Sequence, residues 1–377
     1  MNHSQVTIIA EAGVNHNGSL KRAKDMVRIA AECGADFVKF QTFRSEQLAS
    51  RHAEKAGYQK KTVRKGGSQL QMLKRLELSP ADFRVLQREC EKHRIGFLST
   101  PFDHESLRFL IQELRVPQIK FSSGDLTNGP LLFEAARQGA RLILSSGMAT
   151  VDEIDQALAV IAAGYNSPTK PPLPRQVLAA KPTRQLIHSL KNRVSLLHCT
   201  TEYPAPLDEV NLLAIPFLQE KYAPITVGYS DHTEGNVVSI AAVALGAKII
   251  EKHFTLSRRL KGPDHRSSLE PDELAALVRD IRNTSTALGH RGKHPTSSEL
   301  ANVSAARKSL VAARPIKTGD IFSPANLTVK RPGHGLSPIL YWSLLGQRAD
   351  RSYREDELIV NASANPTIAL PQARRRS

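Results

Sequence analysis

The sequence predicts an α/β chain: a (β/α)8 barrel followed by a small unit of short strands and turns. Three observations carry this. Short β-branched runs alternate with amphipathic helical patterns over about the first 290 residues, which matches eight βα units in count and length. Every run ends in polar residues, as expected where the C-terminal face of a barrel hosts the chemistry. The competing fold, a doubly wound open sheet, wants a glycine-rich fingerprint after its first strand, and AEAGVNHNGS does not supply GxGxxG.

Taken in order, VTIIAEAG ends in Glu11 and leads into the helix SLKRAKDMVRIAAECG, with Ser19 as N-cap and Gly34 as stop. DFVKFQTF carries Lys39 and Gln41 on one face, because side chains alternate along a strand. GFLSTPF ends in Ser99 and Thr100, QIKFSSG brings Lys120 and Ser123, and RLILSSG brings Ser145 and Ser146. VSLLHCTTEYP adds His198 and Thr200, with Tyr203 in the loop beyond.

The stretch 224–271 is the most informative. On ITVGYSDH the alternating face carries Thr226, Gly228, Ser230 and His232; on KIIEKHF it carries Glu251 and His253. The helix NVVSIAAVALGA between them is long enough for a crossover and ends at Gly246, so the two strands are expected to lie parallel and adjacent. Their histidines then meet at the open end of the sheet, a plausible pair of ligands for a divalent metal. A strand-end histidine also occurs as a satisfied structural group, and spacing alone leaves both readings open.

The helices PADFRVLQRECEKH and PDELAALVRDIRNTSTAL complete the barrel pattern, which is expected over 1–288. Two segments break it: a long polar insertion, 44–79, with a possible lid role, and the proline-rich 165–184, read as a surface excursion. Beyond it we expect a linker over 289–304, a small domain over 305–362 and a loose tail over 363–377.

Hydrophobic residues make up 41% of the chain and charged residues 23%, ordinary for a globular protein. No apolar run approaches the ~18 residues of a membrane helix, and the N-terminus has no signal pattern, so a cytoplasmic protein without a membrane partner is expected. The three cysteines, Cys33, Cys90 and Cys199, are far apart, against a disulfide framework or thiolate zinc site. Lys plus Arg exceed Asp plus Glu by 52 to 36, a formal charge of +16. The basic residues are scattered and lack aromatic interleaving, which suits a general field for small anions better than a nucleic-acid surface.

The series AEAGVNHNGS, VKFQTF, FLSTPF, KFSSGD, LSSGM, LLHCTTEYPAP, GYSDHT, EKHFT and GPDH…SLEP resembles, in order, the sialic acid synthase family of phosphoenolpyruvate-dependent nonulosonate synthases. The C-terminal piece resembles the antifreeze-like (SAF) domain that those enzymes carry. The resemblance implies condensation of phosphoenolpyruvate with an open-chain N-acetylated hexosamine, typically N-acetylmannosamine, giving a nine-carbon 2-keto acid and phosphate. It implies that Lys39, Thr100, Lys120, Ser123, Ser145 and Ser230 bind phosphoenolpyruvate. Glu11 is then the acid/base carboxylate, and His232 and His253 hold manganese or magnesium. For the sugar it points to Gln41, Tyr203, Asp264 and Arg331, the last supplied across a domain-swapped homodimer. Where described members place an aromatic residue against the sugar's acetyl group, this chain has SAARKS, with Ala305 and Arg307. The insertion at 44–79 looks more like members making neuraminic or legionaminic acid than pseudaminic acid.

Two rivals stand beside this reading. Another phosphoenolpyruvate–aldose synthase, making an eight- or seven-carbon keto acid, would share barrel, metal and lysines but needs a second phosphate cradle, for which no motif is present. A basic, non-catalytic binding protein would show salt-dependent binding to DNA and no phosphate release.

Overall fold

Eight strands alternate with helices to build the larger unit in this computed structural model, which describes residues 6–49, 68–166, 169, 175, 177 and 179–360. The strands are β1 (Thr7–Gly13), β2 (Phe37–Thr42), β3 (Gly96–Pro101), β4 (Gln118–Phe121), β5 (Arg141–Ser145), β6 (Val194–Cys199), β7 (Thr226–Asp231) and β8 (Ile249–His253). They run parallel in the order β3-β2-β1-β8-β7-β6-β5-β4. Strands β3 and β4 at the two ends lie against each other, so the sheet closes as a barrel. The crossover expectation holds: β7 and β8 are neighbours, with Ser230 opposite Glu251 and Asp231 opposite Lys252.

The helices follow local chemistry. Helix α1 (Leu20–Glu32) starts at Ser19, whose side chain accepts from the Arg22 amide, and Gly34 beyond it takes φ +83°, the left-handed stop. Short helices α2 (Ser45–Leu48) and α3 (Gln69–Lys74) belong to the expected insertion, whose residues 50–67 lie outside the described ones. A satellite core of Val14, Phe43, Ala49, Met72, Leu73 and Leu76 pins these helices beside the strand ends. Helix α4 (Pro80–His93) has Pro80 in its first turn and a reciprocal cap between Ser79 and Asp82. Helices α5 (His104–Arg108), α6 (Gly129–Arg137), α7 (Val151–Asn166), α8 (Arg184–Ser189), α9 (Ala214–Lys221), α10 (Val237–Ala244) and α11 (Pro271–Ala287) follow, and most of 165–178 lies outside the described residues. Their buried faces form one core against the outside of the sheet. A second, smaller core of Ile9, Leu98, Ile143, Leu197 and Ile249 fills the inside of the barrel. Gly228 belongs to that interior: a Cβ there would lie 2.4 Å from the Ile249 carbonyl oxygen, so no larger residue fits.

The chain divides into two units, Met1–Gly289 and His290–Ser377. In the second, β9 (Ser309–Ala312) pairs antiparallel with β10 (Leu327–Lys330) over a core that includes Leu310, Ile316, Phe322, Leu344 and Tyr353. The segment expected as a linker, 289–304, contains most of helix α12 (Ser297–Ala306), which is closed by a reciprocal cap between Thr296 and Glu299. Helix α13 (Tyr341–Leu344) completes the unit, and the expected tail lies outside the described residues.

Candidate active site

Two residues along β1, β3, β5 and β8 from the apolar interior the chain reaches a buried polar layer, with Glu11, Thr100, Ser145 and Glu251 following Ile9, Leu98, Ile143 and Ile249. Glu11, Lys39, Lys120 and Glu251 are all buried there. Lys39 Nζ lies 2.8 Å from Glu11 Oε2 and 3.7 Å from Glu251 Oε2, and is 3.3 Å from Thr100 Oγ1. Lys120 Nζ donates to Ser145 Oγ at 2.6 Å and to the Phe121 carbonyl at 3.0 Å, and lies 3.6 Å from Glu251 Oε1. Ser230 Oγ donates to that same Glu251 oxygen at 2.9 Å. Glu251 is therefore the carboxylate between the two lysines, and β1, β2, β3, β4, β5, β7 and β8 each send one polar group to the array.

Burying four charged groups costs several kcal/mol per ion before pairing, and the array resolves that cost unevenly. Burial pushes the Glu11 carboxyl up to about 7, with the Glu251 charge adding to it and Lys39 opposing. The Glu251 carboxyl is also buried, but Lys120 and Lys39 outweigh that and hold it down at about 2. Two lysines thus face one firmly ionised carboxylate and one that takes a proton near neutrality. With Glu11 protonated, Lys39 and Lys120 face the single charge of Glu251, and Thr100, Ser145 and Ser230 supply hydroxyls beside them. Ser123 completes this side: its Oγ accepts from the Gly147 amide at 3.1 Å. A Cβ on Gly147 would sit 2.4 Å from Thr201 Oγ1, 3.0 Å from Ser123 Oγ and 3.1 Å from the Cys199 carbonyl oxygen, so a larger residue would displace the two hydroxyls.

At the rim, the His232 and His253 rings lie 5.5 Å apart between centroids. Tyr203 packs on His232 at 4.0 Å and stands edge-on to His253 at 5.6 Å. His232 Nδ1 is 2.7 Å from the Thr200 carbonyl and so donates to it, which leaves the lone pair on Nε2. His253 Nδ1 is buried with no hydrogen-bond partner, and burial followed by the nearby His232 and Lys39 keeps this ring neutral by lowering its pKa well below the usual value. Burial opposes protonation of His232, but Cys199, the Thr200 carbonyl and Glu251 outweigh it and raise its pKa. One ring with its tautomer set from behind and one neutral ring with an orphaned nitrogen offer two nitrogens to a divalent cation. Among the described residues no group of three or more His, Cys, Asp or Glu is assembled for a metal, so such an ion would draw its remaining ligands from water or substrate.

The other sequence-derived candidates fall into place unequally. Asp264 is buried in the loop after β8, its carboxyl raised to about 6 by burial against the opposing influence of His232. Gln41 is half-buried, and its amide lies beside Gly13 next to the Glu11 carboxyl. Arg331 belongs to the second unit, exposed, its Nε donating to the Ala306 carbonyl at 3.1 Å. Two features were not singled out from sequence as parts of the site: Glu251 as the bridge between the lysines, and Cys199, whose sulfur lies 3.7 Å from His232 Nδ1. The alternation that placed Glu251 two residues before His253 was the available signal for the first.

Comparison with known proteins gives the family. The NeuB family model matches residues 26–293, and the SAF domain model matches 307–363. N,N'-diacetyllegionaminic acid synthase of Campylobacter jejuni subsp. jejuni serotype O:2 is 47% identical over 93% of this chain and 98% of its own length. Human N-acetylneuraminate-9-phosphate synthase is 37% identical over 94% of this chain and 92% of its own length. Among solved structures, the N-acetylneuraminic acid synthetase of Leptospira borgpetersenii serovar Hardjo-bovis superposes with a TM-score of 0.65 at 34% identity, covering 80% of this chain and 91% of that one. The chain belongs to the NeuB family, and it is a phosphoenolpyruvate-dependent, sialic-acid-synthase-like enzyme with a C-terminal SAF domain.

Proposed function

We propose that the enzyme joins phosphoenolpyruvate to an N-acetylated hexosamine, N-acetylmannosamine or a close analogue, and with water releases phosphate and a nine-carbon 2-keto acid. The observation that carries this is the buried convergence of Lys39 and Lys120 with Glu251, Glu11 and the hydroxyls of Thr100, Ser145 and Ser230, which gathers two cationic side chains and three hydroxyls around one pocket for a phosphate and a carboxylate. The lysines and the hydroxyls of Thr100, Ser123, Ser145 and Ser230 bind the anion and fix the enol. His232 and His253 would hold manganese or magnesium, whose chemistry is to polarise the sugar aldehyde as a Lewis acid. C3 of the enol forms the new bond to the aldehyde carbon, and the aldehyde oxygen takes one of the two protons of the water that adds to C2. Glu11, poised near neutrality, accepts a proton from the water that adds to C2. The C2–O bond to phosphate then breaks, and the second proton of that water leaves with the phosphate, so that C2 becomes the keto carbon. Asp264, Gln41 and Tyr203 supply hydrogen-bonding groups at the rim for the sugar.

Phosphoenolpyruvate contributes three carbons and no nitrogen, so any N-acetyl group in the product is already on the acceptor. The names of the Campylobacter relative and of the Legionella pneumophila relative, the latter 39% identical over 96% of this chain, favour an acceptor with two such groups. A panel of N-acetylmannosamine, its 6-phosphate, a 2,4-diacetamido hexose, arabinose 5-phosphate and erythrose 4-phosphate, read by phosphate release and product mass, tests this. Turnover confined to the pentose or tetrose phosphate would overturn the reading.

The reading includes a cytoplasmic homodimer in which Arg331 of one chain serves the sugar site of the other, a role supported by the family pattern of KRPGHG. Mixing inactive Arg331→Ala protein with inactive His232→Ala protein should restore partial activity, because one site per heterodimer then receives both intact parts. No recovery despite demonstrated subunit exchange rules the arrangement out.

A further inference from the structure

We infer that Asp231 and Lys252 form a positioning strut that sets the spacing of the two rim histidines, a role that rests on reading His232 and His253 as metal ligands. Each histidine is immediately preceded by a member of the strut, and the two members are register partners across β7 and β8. Period-two alternation turns Ser230, His232, Glu251 and His253 into the barrel and sends Asp231 and Lys252 out toward the helices. There they meet at 2.9 Å with side-chain exposures of 0% and 1%.

The pair grips more than itself. Asp231 Oδ1 accepts from the Thr233 amide and hydroxyl, each at 2.8 Å, and Oδ2 accepts from Ser239 Oγ on α10 at 2.6 Å. Lys252 Nζ donates to the Thr233 carbonyl at 2.6 Å. His232 is thus bracketed on both sides, by Asp231 before it and Thr233 after it, and both brackets are tied to the residue preceding His253. On its far side His253 is held by the backbone: Phe254 donates to the Glu11 carbonyl at 3.0 Å and the His253 carbonyl accepts from the Leu269 amide at 2.9 Å.

A buried ion pair is weak evidence for stability, since apolar residues of similar size often serve as well. Its use here is register. Sliding β7 by one residue against β8 would turn His232 out of the barrel and bring Asp231 in. The strut penalises that slip, because each partner would be left charged and unpaired inside the protein.

The test is Mn2+ binding to the full-length protein, followed by loss of the free-ion electron paramagnetic resonance signal, with phosphoenolpyruvate binding and thermal melting measured alongside. The double variant Asp231→Leu/Lys252→Met removes both charges without stranding either. It is expected to melt cooperatively and bind phosphoenolpyruvate normally, while Mn2+ affinity falls about 10- to 100-fold, the usual effect of losing a group that orients a ligand. Excess Mn2+ should restore turnover. Ser239→Ala, a milder change, should weaken Mn2+ several-fold and decides the matter if the double variant does not fold. Unchanged Mn2+ affinity, or parallel loss of Mn2+ and phosphoenolpyruvate binding, overturns the strut. If His232→Ala binds Mn2+ as tightly as the unaltered protein, the ligand reading itself fails, and the strut falls with it.

Discussion

The same strands carry two layers of opposite character inside the barrel. Ile9 gives way to Glu11 two residues later, Leu98 to Thr100, Ile143 to Ser145, and Ile249 to Glu251, all of them buried. Each apolar side chain in the lower layer contributes roughly 2 kcal/mol by leaving water, whereas each ion in the upper layer costs several kcal/mol to bury. One step of strand period separates a layer that holds the barrel together from one that spends stability on a charged pocket. The lesson is that backbone rigidity is shared: the lower layer fixes the strands whose next residues need precise placement.

That contrast can be broken by experiment. The largest effect is expected at the rim. EDTA should abolish condensation, with Mn2+ or Mg2+ restoring it, and His232→Ala or His253→Ala should lower metal affinity while the far-ultraviolet circular dichroism and melting transition persist. Full activity in exhaustively chelated protein would refute the metal's role. Next comes Glu11→Gln, which should still bind phosphoenolpyruvate yet turn over ~100-fold or more slowly, the usual scale for losing an acid/base group. Near-normal turnover would remove Glu11 from proton transfer.

The lower layer should respond in the opposite way. Ile143→Ala leaves a cavity inside the barrel and should cost about 2 to 5 kcal/mol of stability in a denaturant titration, with turnover per folded molecule at 25 °C within a few-fold of the parent. Its neighbour two residues on, Ser145→Ala, removes an acceptor from Lys120 and should mainly raise the KM for phosphoenolpyruvate. If both variants lose stability and activity in the same proportion, the two layers are not functionally distinct.

How much of this was legible in the sequence depends on how local the signal is. Helices α4 and α11 could be bounded to within about a residue because proline and capping residues mark their starts, and the β7–β8 adjacency follows from crossover length. Helix α12 was missed although Thr296 and Glu299 form a capping signature, because none of its residues is buried and it shows no apolar stripe. The strand-end polar residues were legible as a set. What they touch was not: Glu251 meets Lys39 from β2 and Lys120 from β4, and no sequence spacing encodes convergence across a closed barrel. Asp231 and Lys252 likewise look like surface polarity in a strand until the register places them opposite one another.

The smallest effect expected is also the sharpest test of the charged layer, because it reads a single proton. In the folded protein burial raises the Glu11 carboxyl to about 7, against an ordinary value of 4.5 in the unfolded chain. Between those two values the folded state holds a proton that the unfolded state has released, so stability falls as pH rises. The contribution of this group is therefore fully present below about pH 4.5 and is lost by the time pH has passed 7. Glu11→Gln removes the titration. Subtracting its stability from that of the parent, measured by urea unfolding at several pH values between 5 and 8, should give a difference that declines with pH by on the order of 1 to 3 kcal/mol. Glu251, held low by the lysines, loses its contribution only as pH falls from about 4.5 towards 2, outside this range, so the slope between pH 5 and 8 reads Glu11. A difference that stays flat, or rises with pH, would mean that Glu11 is ionised throughout and that the positive charge available for phosphoenolpyruvate is one unit less than the array implies.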